Sequence, residues 1–304
     1  MPYKEAMERF GIDKPDLRFE MELVALDDWA RASDFQVFSG AVEAGGRVMG
    51  LTVKEGGSLS RKEITALEEV VKTYGAKGLA FWKPAPDGGA GPLARFVPEG
   101  GAQELMELLG AAEGDLCLFV ADPRERVVQR SLGELRVHLG KQLGLTDPSE
   151  FRFLWVTHFP LFEWDDEAGR WFSTHHPFTA PADWELGGGG FDLSDPDSPI
   201  GDQMSRSYDL VMNGWELGSG SVRIHRADVQ QRVFEVLGIG EEEQRQKFGF
   251  LLDALSYGAP PHAGFAVGLD RLVALTLGMD NIRDVIAFPK TASATDLMCD
   301  APST

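Results

Sequence analysis

After residue 150 the chain becomes a succession of short β-like runs rich in aromatics and glycine, joined by turns. FRFLWVTHFPLFEW and GRWFSTHHPF read as two strands separated by a WDDEAG turn, and SYDLVMNGWEL and SVRIH flank GSG in a strand–turn–strand pattern. A loop rich in Gly and Asp covers residues 187–202. Helical spacing follows only later. Val229, Val233, Val236 and Leu237 mark a helix over about 227–237 that Gly238 stops, and Glu241, Glu242 and Glu243 suit the N-terminus of another over 241–257. GFAVG then reads as a strand feeding directly into a helix, LDRLVALTLG. This order predicts an α+β fold, an antiparallel sheet with helices, and disfavours a run of βαβ units.

Residues 20–130 read as a separate small α+β module. RVMGLTV (47–53) and LCLFV (116–120) have the branched and aromatic composition of buried strands. Between them Ser60 and Glu63 form a capping box, and Ile64, Leu67, Val71 and Tyr74 recur at helical spacing until Gly75. PAPDGGAGP (84–92) reads as a connector. With no cluster of His, Cys or paired carboxylates, the module is expected to carry no catalysis. Residues 1–19 begin with a short amphipathic stretch and continue as a turn-rich connector without a core of its own. A second capping box, Ser131 to Glu134, predicts a helix from there to about Leu143.

A length of 304 residues suffices for two domains. The net charge of −19 divides into −7 for residues 1–150 and −12 for 151–304. Neither half is a basic module, which argues against a protein whose main business is gripping phosphate backbones. Cys117 and Cys299 have no metal spacing and fit a reducing cytosol. The N-terminus lacks the apolar stretch of a secretory signal, and no apolar run reaches the ~18 residues of a membrane span. A cytoplasmic protein is expected.

Three groups of residues could carry chemistry. His175 and His176 are adjacent, so on a strand they would point to opposite faces, one packed and one exposed. Glu216 and Arg223, on the two arms around GSG, read either as a cross-strand ion pair worth ~0.2–1 kcal/mol or as separate ligands. In the second reading Glu216 holds a metal or ribose, and Arg223 clamps an anion. Asp270 and Arg271 sit where a strand turns into a helix whose register buries Leu272 and Leu275. That arrangement serves as a phosphate site or as a capping Asp beside a surface Arg.

THHPFTAP (174–181), NGWELGSGSVRIH (213–225), EEEQRQKFGFLLDALSYGAPPHAGFAVGLDRLVALTLG (241–278) and DNIRDVIAFPK (280–290) closely resemble the bacterial aspartyl-tRNA synthetases. GFAVGLDR resembles motif 3 of class II synthetases. YKEAMERFGIDKPDLRF is similar to the family's connector beyond motif 2, and SLSRKEI and VKTYGAKGLAFWK to its bacterial insertion domain. The resemblance implies residues 1–19 as a connector of the catalytic domain, 20–130 as the insertion domain, and 131–304 as the C-terminal part of the catalytic domain. It further implies a ligase that uses ATP and Mg²⁺ to activate L-aspartate and passes the aspartyl group to tRNA(Asp). Carried over residue by residue, Arg223 binds the aspartate side chain and His175 closes the pocket, with His176 beside it. Glu216 holds ATP through Mg²⁺, with Asp209 as a second ligand, and Gly268, Leu269, Asp270 and Arg271 bind ATP. Arg223 and Arg271 are the expected catalytic residues.

Strict strand alternation places Asp209 and Glu216 on opposite faces, so a bulge or a strand end is needed to bring them together. The resemblance also places an anticodon-binding domain, motif 1 with its homodimer contacts and motif 2 before Met1, and the family's usual end beyond CDAPST. The isolated chain is therefore expected to show little aspartate-dependent ATP–pyrophosphate exchange. The alternative expectation is a truncated, non-catalytic paralogue that binds a nucleotide or a partner.

Overall fold

The computed structural model describes residues 1–186, 190–291, 293, 295, 296, 298 and 301. The first three residues of the Gly- and Asp-rich loop, Cys299 and most of CDAPST lie outside them. The chain divides into two compact units, Met1–Arg152 and Phe153–Thr304.

In the first unit the elements run α1 (Tyr3–Phe10), β1 (Val24–Ala25), α2 (Asp27–Arg31), α3 (Gln36–Glu43), β2 (Arg47–Val53), α4 (Arg61–Thr73), β3 (Ala80–Trp82), α5 (Ala102–Leu109), β4 (Leu116–Asp122) and α6 (Glu125–Gln142). The sheet order is β1-β2-β4-β3, antiparallel throughout. Alternation along β4 divides the core in two. Leu116, Leu118 and Val120 face a cluster built with Ile64, Leu67 and Val71 of α4 and Val128, Leu132, Leu135 and Leu139 of α6. Cys117 and Phe119 face another, with Phe38, Trp82 and Leu105. Both faces being covered, β2 and β4 read as nearly unbroken apolar runs. The capping box is present, Ser60 Oγ accepting from Glu63 N–H while the Glu63 carboxylate accepts from Ser60 N–H.

The second capping box is not. α6 begins six residues before Ser131, whose hydroxyl donates to Val71 O at 3.4 Å from inside the helix. Residues 1–19 borrow their core from this helix. The fully buried Arg136 donates to the carbonyls of Asp16, Phe19, Glu20 and Met21, and lies over the rings of Phe10 and Phe19. Burial pushes its pKa down to about 10.

The second unit contains β5 (Phe153–Thr157), β6 (Phe162–Asp165), β7 (Arg170–Ser173), β8 (Ser207–Met212), β9 (Trp215–Val222), α7 (Ala227–Val236), α8 (Glu241–Ser256), β10 (Ala263–Val267) and α9 (Leu269–Thr276). An antiparallel sheet has the order β10-β9-β8-β5, and β6 pairs with β7 in a separate hairpin. The first aromatic run is thus two strands in two sheets, parted at His158, which adopts φ 58°. The turn assigned to GSG lies instead at Asn213–Gly214, both left-handed (φ 52° and 84°) as a two-residue hairpin turn requires. GSG runs on inside β9. Its glycines are needed because rings lie over the strand: a Cβ at Gly218 would come within 2.7 Å of the Phe265 ring, and one at Gly220 within 2.5 Å of the Tyr208 ring. In α9, Leu272 and Leu275 are half-buried rather than buried, and Ala274 is the residue fully enclosed.

Candidate functional site

The second sheet presents two unlike faces. One carries Phe153, Trp155, Tyr208 and Phe265, with Trp155 and Phe265 ring centroids 5.4 Å apart. The other carries Ser207, Asp209 and Val211 from β8, opposite Ser221, Ser219 and Glu216 from β9. Glu216 belongs to this polar face because the register shifts after Leu210. Leu210 pairs with Gly218 and Val211 with Glu216, leaving Leu217 unopposed.

Just past the end of β9, Arg223 is fixed by its backbone. Its N–H donates to His262 O, while Ile224 N–H donates to Phe178 O. Its guanidinium is half-buried and lies against the ring nitrogens of His176. No carboxylate pairs with it among the described residues. His176 is held by burial, by the Arg223 charge and by His175 at a pKa of about 4, so the ring is neutral at pH 7 and can accept from the guanidinium. Ser221 Oγ is 3.5 Å from the same ring.

His175 stacks edge-on against Phe159 with centroids 4.6 Å apart, and its Nε2 is 3.6 Å from Asp209 Oδ1. That oxygen and His175 Nδ1 are both buried without a hydrogen-bond partner among the described residues. The expectation that the two histidines point to opposite faces of a strand is corrected here. β7 ends at Ser173, and in the bend that follows both rings line one cavity of about 440 Å³ with Ser219, Ser221 and Arg223. Ser219 and Ser221 escaped the sequence reading. Their signal was the GSGSV alternation, which sends every second residue to one face.

The expected juxtaposition of Glu216 with Arg223 across a hairpin is also overturned, since both lie on one continuous run. Glu216 is instead beside Arg271, whose Nη1 donates to Glu216 O at 2.7 Å and is 3.4 Å from Glu216 Oε1. Gly268 caps α9 and its N–H donates to Leu217 O at 2.8 Å, so the bulge and the helix start are tied together. Leu269 and Asp270 are exposed in the first turn. Glu216 and Arg271 are not among the residues lining the histidine cavity.

Among the described residues no group of three His, Cys, Asp or Glu could hold a metal ion. What the polar face does offer is two carboxylates, one of them with an orphaned buried oxygen. That donor set suits Mg²⁺ arriving with phosphate and water ligands of its own. No described helix is long and apolar enough to cross a membrane.

A family model described as class II tRNA synthetases (D, K and N) matches residues 1–292. The chain is 53% identical over 304 residues to an aspartate–tRNA ligase of Macrococcus caseolyticus and 53% identical over 306 residues to an aspartate–tRNA(Asp/Asn) ligase of Bacillus cytotoxicus. In both comparisons all of this chain and 50% of the relative are covered, so the chain spans about half the length of the curated relatives it matches. Among solved structures, the aspartyl tRNA synthetase of Entamoeba histolytica covers 83% of this chain and 44% of its own at 15% identity, with a TM-score of 0.33.

Proposed function

The chain belongs to the class II tRNA synthetases (D, K and N), and we propose that it supplies part of the active site of an aspartate–tRNA ligase. The observation that carries this reading is the state of Arg223. A half-buried guanidinium whose only side-chain partner among the described residues is a neutral imidazole keeps its charge unneutralised and has free donors for a ligand. A carboxylate with two oxygens matches that fork, and an amide, which presents one oxygen and an opposing NH₂, does not. Asparagine is thus discriminated against by the same contact that holds aspartate.

In the proposed reaction the α-carboxylate of aspartate attacks the α-phosphorus of ATP and pyrophosphate leaves; a terminal ribose hydroxyl of tRNA(Asp) then attacks the acyl carbon of the adenylate, and AMP leaves. The reaction joins anions, so the task of the protein is positioning and charge neutralisation. Arg223 orients aspartate, with His175 and His176 forming the cavity wall. Gly268, Leu269, Asp270 and Arg271 receive ATP at the start of α9, where Arg271 adds a positive charge to the helix N-terminus. Mg²⁺ bound with the nucleotide would neutralise phosphate charge, held by Glu216 and Asp209. No side-chain nucleophile is required. Residues 20–130 form the insertion domain in this reading, and 1–19 and 131–304 belong to the catalytic domain.

The test is binding of a non-hydrolysable aspartyl-adenylate, the sulfamoyl analogue, to this chain by calorimetry. A preference of at least tenfold over the asparaginyl analogue, abolished in R223K, is expected. Equal affinity for the two analogues, or an R223K variant that keeps the preference, would overturn the reading.

A further inference from the structure

We infer that the first unit holds a phosphate site of its own, a cleft beside the start of α4 that takes the phosphate of a nucleotide, free or within an RNA strand. The cleft encloses about 440 Å³ and is lined by Arg61, Lys83 and Arg95, with Ile64, Phe81 and Gly91. None of the described side chains that line it is acidic. In a chain with net charge −19 this convergence of three cations stands out.

Several cations of this unit are paired with acids: Arg9, Arg18, Arg47, Lys54, Lys72 and Arg124 each lie within 4 Å of a carboxylate. Arg61, Lys83 and Arg95, like Lys62 and Lys77, have no such partner among the described residues. Lys83 Nζ donates to the carbonyls of Gly57 and Leu59 at 2.7 and 2.8 Å. These neutral acceptors anchor the ammonium while leaving its charge and its third N–H for a ligand. Arg95 lies over the Phe96 ring at 5.1 Å, which orients the guanidinium without neutralising it. Glu63, the carboxylate closest to Arg61 along the chain, is turned back to Ser60 N–H at 2.7 Å.

Two guanidinium forks and an ammonium around one cavity match the oxygens of a phosphate. Phe81 adds an aromatic surface at the same cavity on which a base can stack. The wall is tightly set: a Cβ at Gly91 would fall 2.8 Å from Phe81 O and 2.9 Å from its ring, and the residue has φ 111°. The site lies in the module expected to have no catalysis, and it does not rest on the reading of Arg223.

The test is a titration of the ¹⁵N-labelled 304-residue chain with AMP and, separately, with single-stranded octauridylate, without Mg²⁺ or aspartate. Amide shifts are expected at Arg61, Lys62, Lys83, Gly91 and Arg95. Both arginines are exposed, so R61Q, R95Q and the double variant should leave the rest of the spectrum intact while removing these shifts. Against octauridylate the double variant should raise Kd at least tenfold and lower the salt slope by about 1.4, at about 0.7 per phosphate contact. The charge-matched R170Q/R245Q variant of the second unit should change neither. Shifts with AMP identify the source as a free nucleotide; shifts with the octamer alone identify an RNA strand. Shifts confined to the second unit, a double variant that binds like the parent, or equal competition by a polyglutamate of the same length would each overturn the inference.

Discussion

Asp209 and Glu216 face the same side of the second sheet because Leu217 has no partner across the ladder. Without that extra residue Glu216 would project toward the aromatic face. Its ion pair with Arg271 is long and partly exposed, at 3.4 Å. Such pairs contribute about 0–1 kcal/mol, so E216Q should scarcely change stability. Its effect should fall on ligand binding instead: in the presence of Mg²⁺, ATP affinity measured by calorimetry is expected to drop at least tenfold, with little change when Mg²⁺ is withheld. A variant that loses stability yet binds Mg²⁺–ATP normally would remove Glu216 from the proposed site.

The depressed pKa of His176 has a thermodynamic consequence. In the folded chain the ring titrates at about 4, against an ordinary 6.5. Between those values the unfolded chain binds more protons than the folded one, so this histidine makes stability rise with pH from about 4 to 6.5 and adds no slope above. H176Q should flatten that part of a denaturation-midpoint profile. Because the Arg223 charge contributes to the depression, R223A should also move the His176 ring titration upward by NMR. An unmoved midpoint in R223A would leave burial and the neighbouring His175 as the causes.

Much of this architecture was legible in local patterns. The β2 and β4 runs, the α4 capping box and the helices α7, α8 and α9 each carry their own signal within a few residues. A local signal misleads where it has a second use. Ser131 and Glu134 imitate a helix start, yet the true start at Arg124 has no side-chain cap. The glycines of GSG imitate a turn, but they accommodate the Phe265 and Tyr208 rings, while Asn213–Gly214 makes the turn. At the candidate site, the bulge at Leu217 and the His176–Arg223 contact depend on pairing with strands and loops distant in sequence, which no periodicity within β9 announces. The same holds for Arg136, whose carbonyl partners lie more than 110 residues away.

Arg136 is a buried cation with no ion pair among the described residues, and its acceptors are backbone carbonyls of residues 16–21. Replacing it strands those carbonyls, and charged hydrogen bonds of this kind contribute about 1.5–3 kcal/mol each, though not additively. R136M, which keeps much of the apolar stem, should destabilise the chain by roughly 2–4 kcal/mol in urea denaturation. R136K cannot reproduce the fork and should recover only part of this loss. Hydrogen exchange gives the local reading: amides of residues 16–23 should lose protection before those of β4. Uniform loss across the unit would contradict the role of Arg136 as the staple of the connector.

Gly133 and Gly40 pose a contest between helix propensity and packing. Both lie within helices, where Ala is better than Gly by about 0.8–1.0 kcal/mol. At Gly40 a Cβ meets nothing within 4 Å. At Gly133 it would fall 2.7 Å from Phe10 O and 2.8 Å from Gly11 C, backbone atoms of the N-terminal segment that cannot rotate away. Overpacking of that kind costs about 1–3 kcal/mol and exceeds the propensity gain over most of its range. G40A is therefore expected to raise the denaturation midpoint and G133A to lower it, from one chemical change in one unit. If G133A proved as stabilising as G40A, α1 and α6 would have to separate at little cost, and the close seat of residues 1–19 on α6 would be wrong.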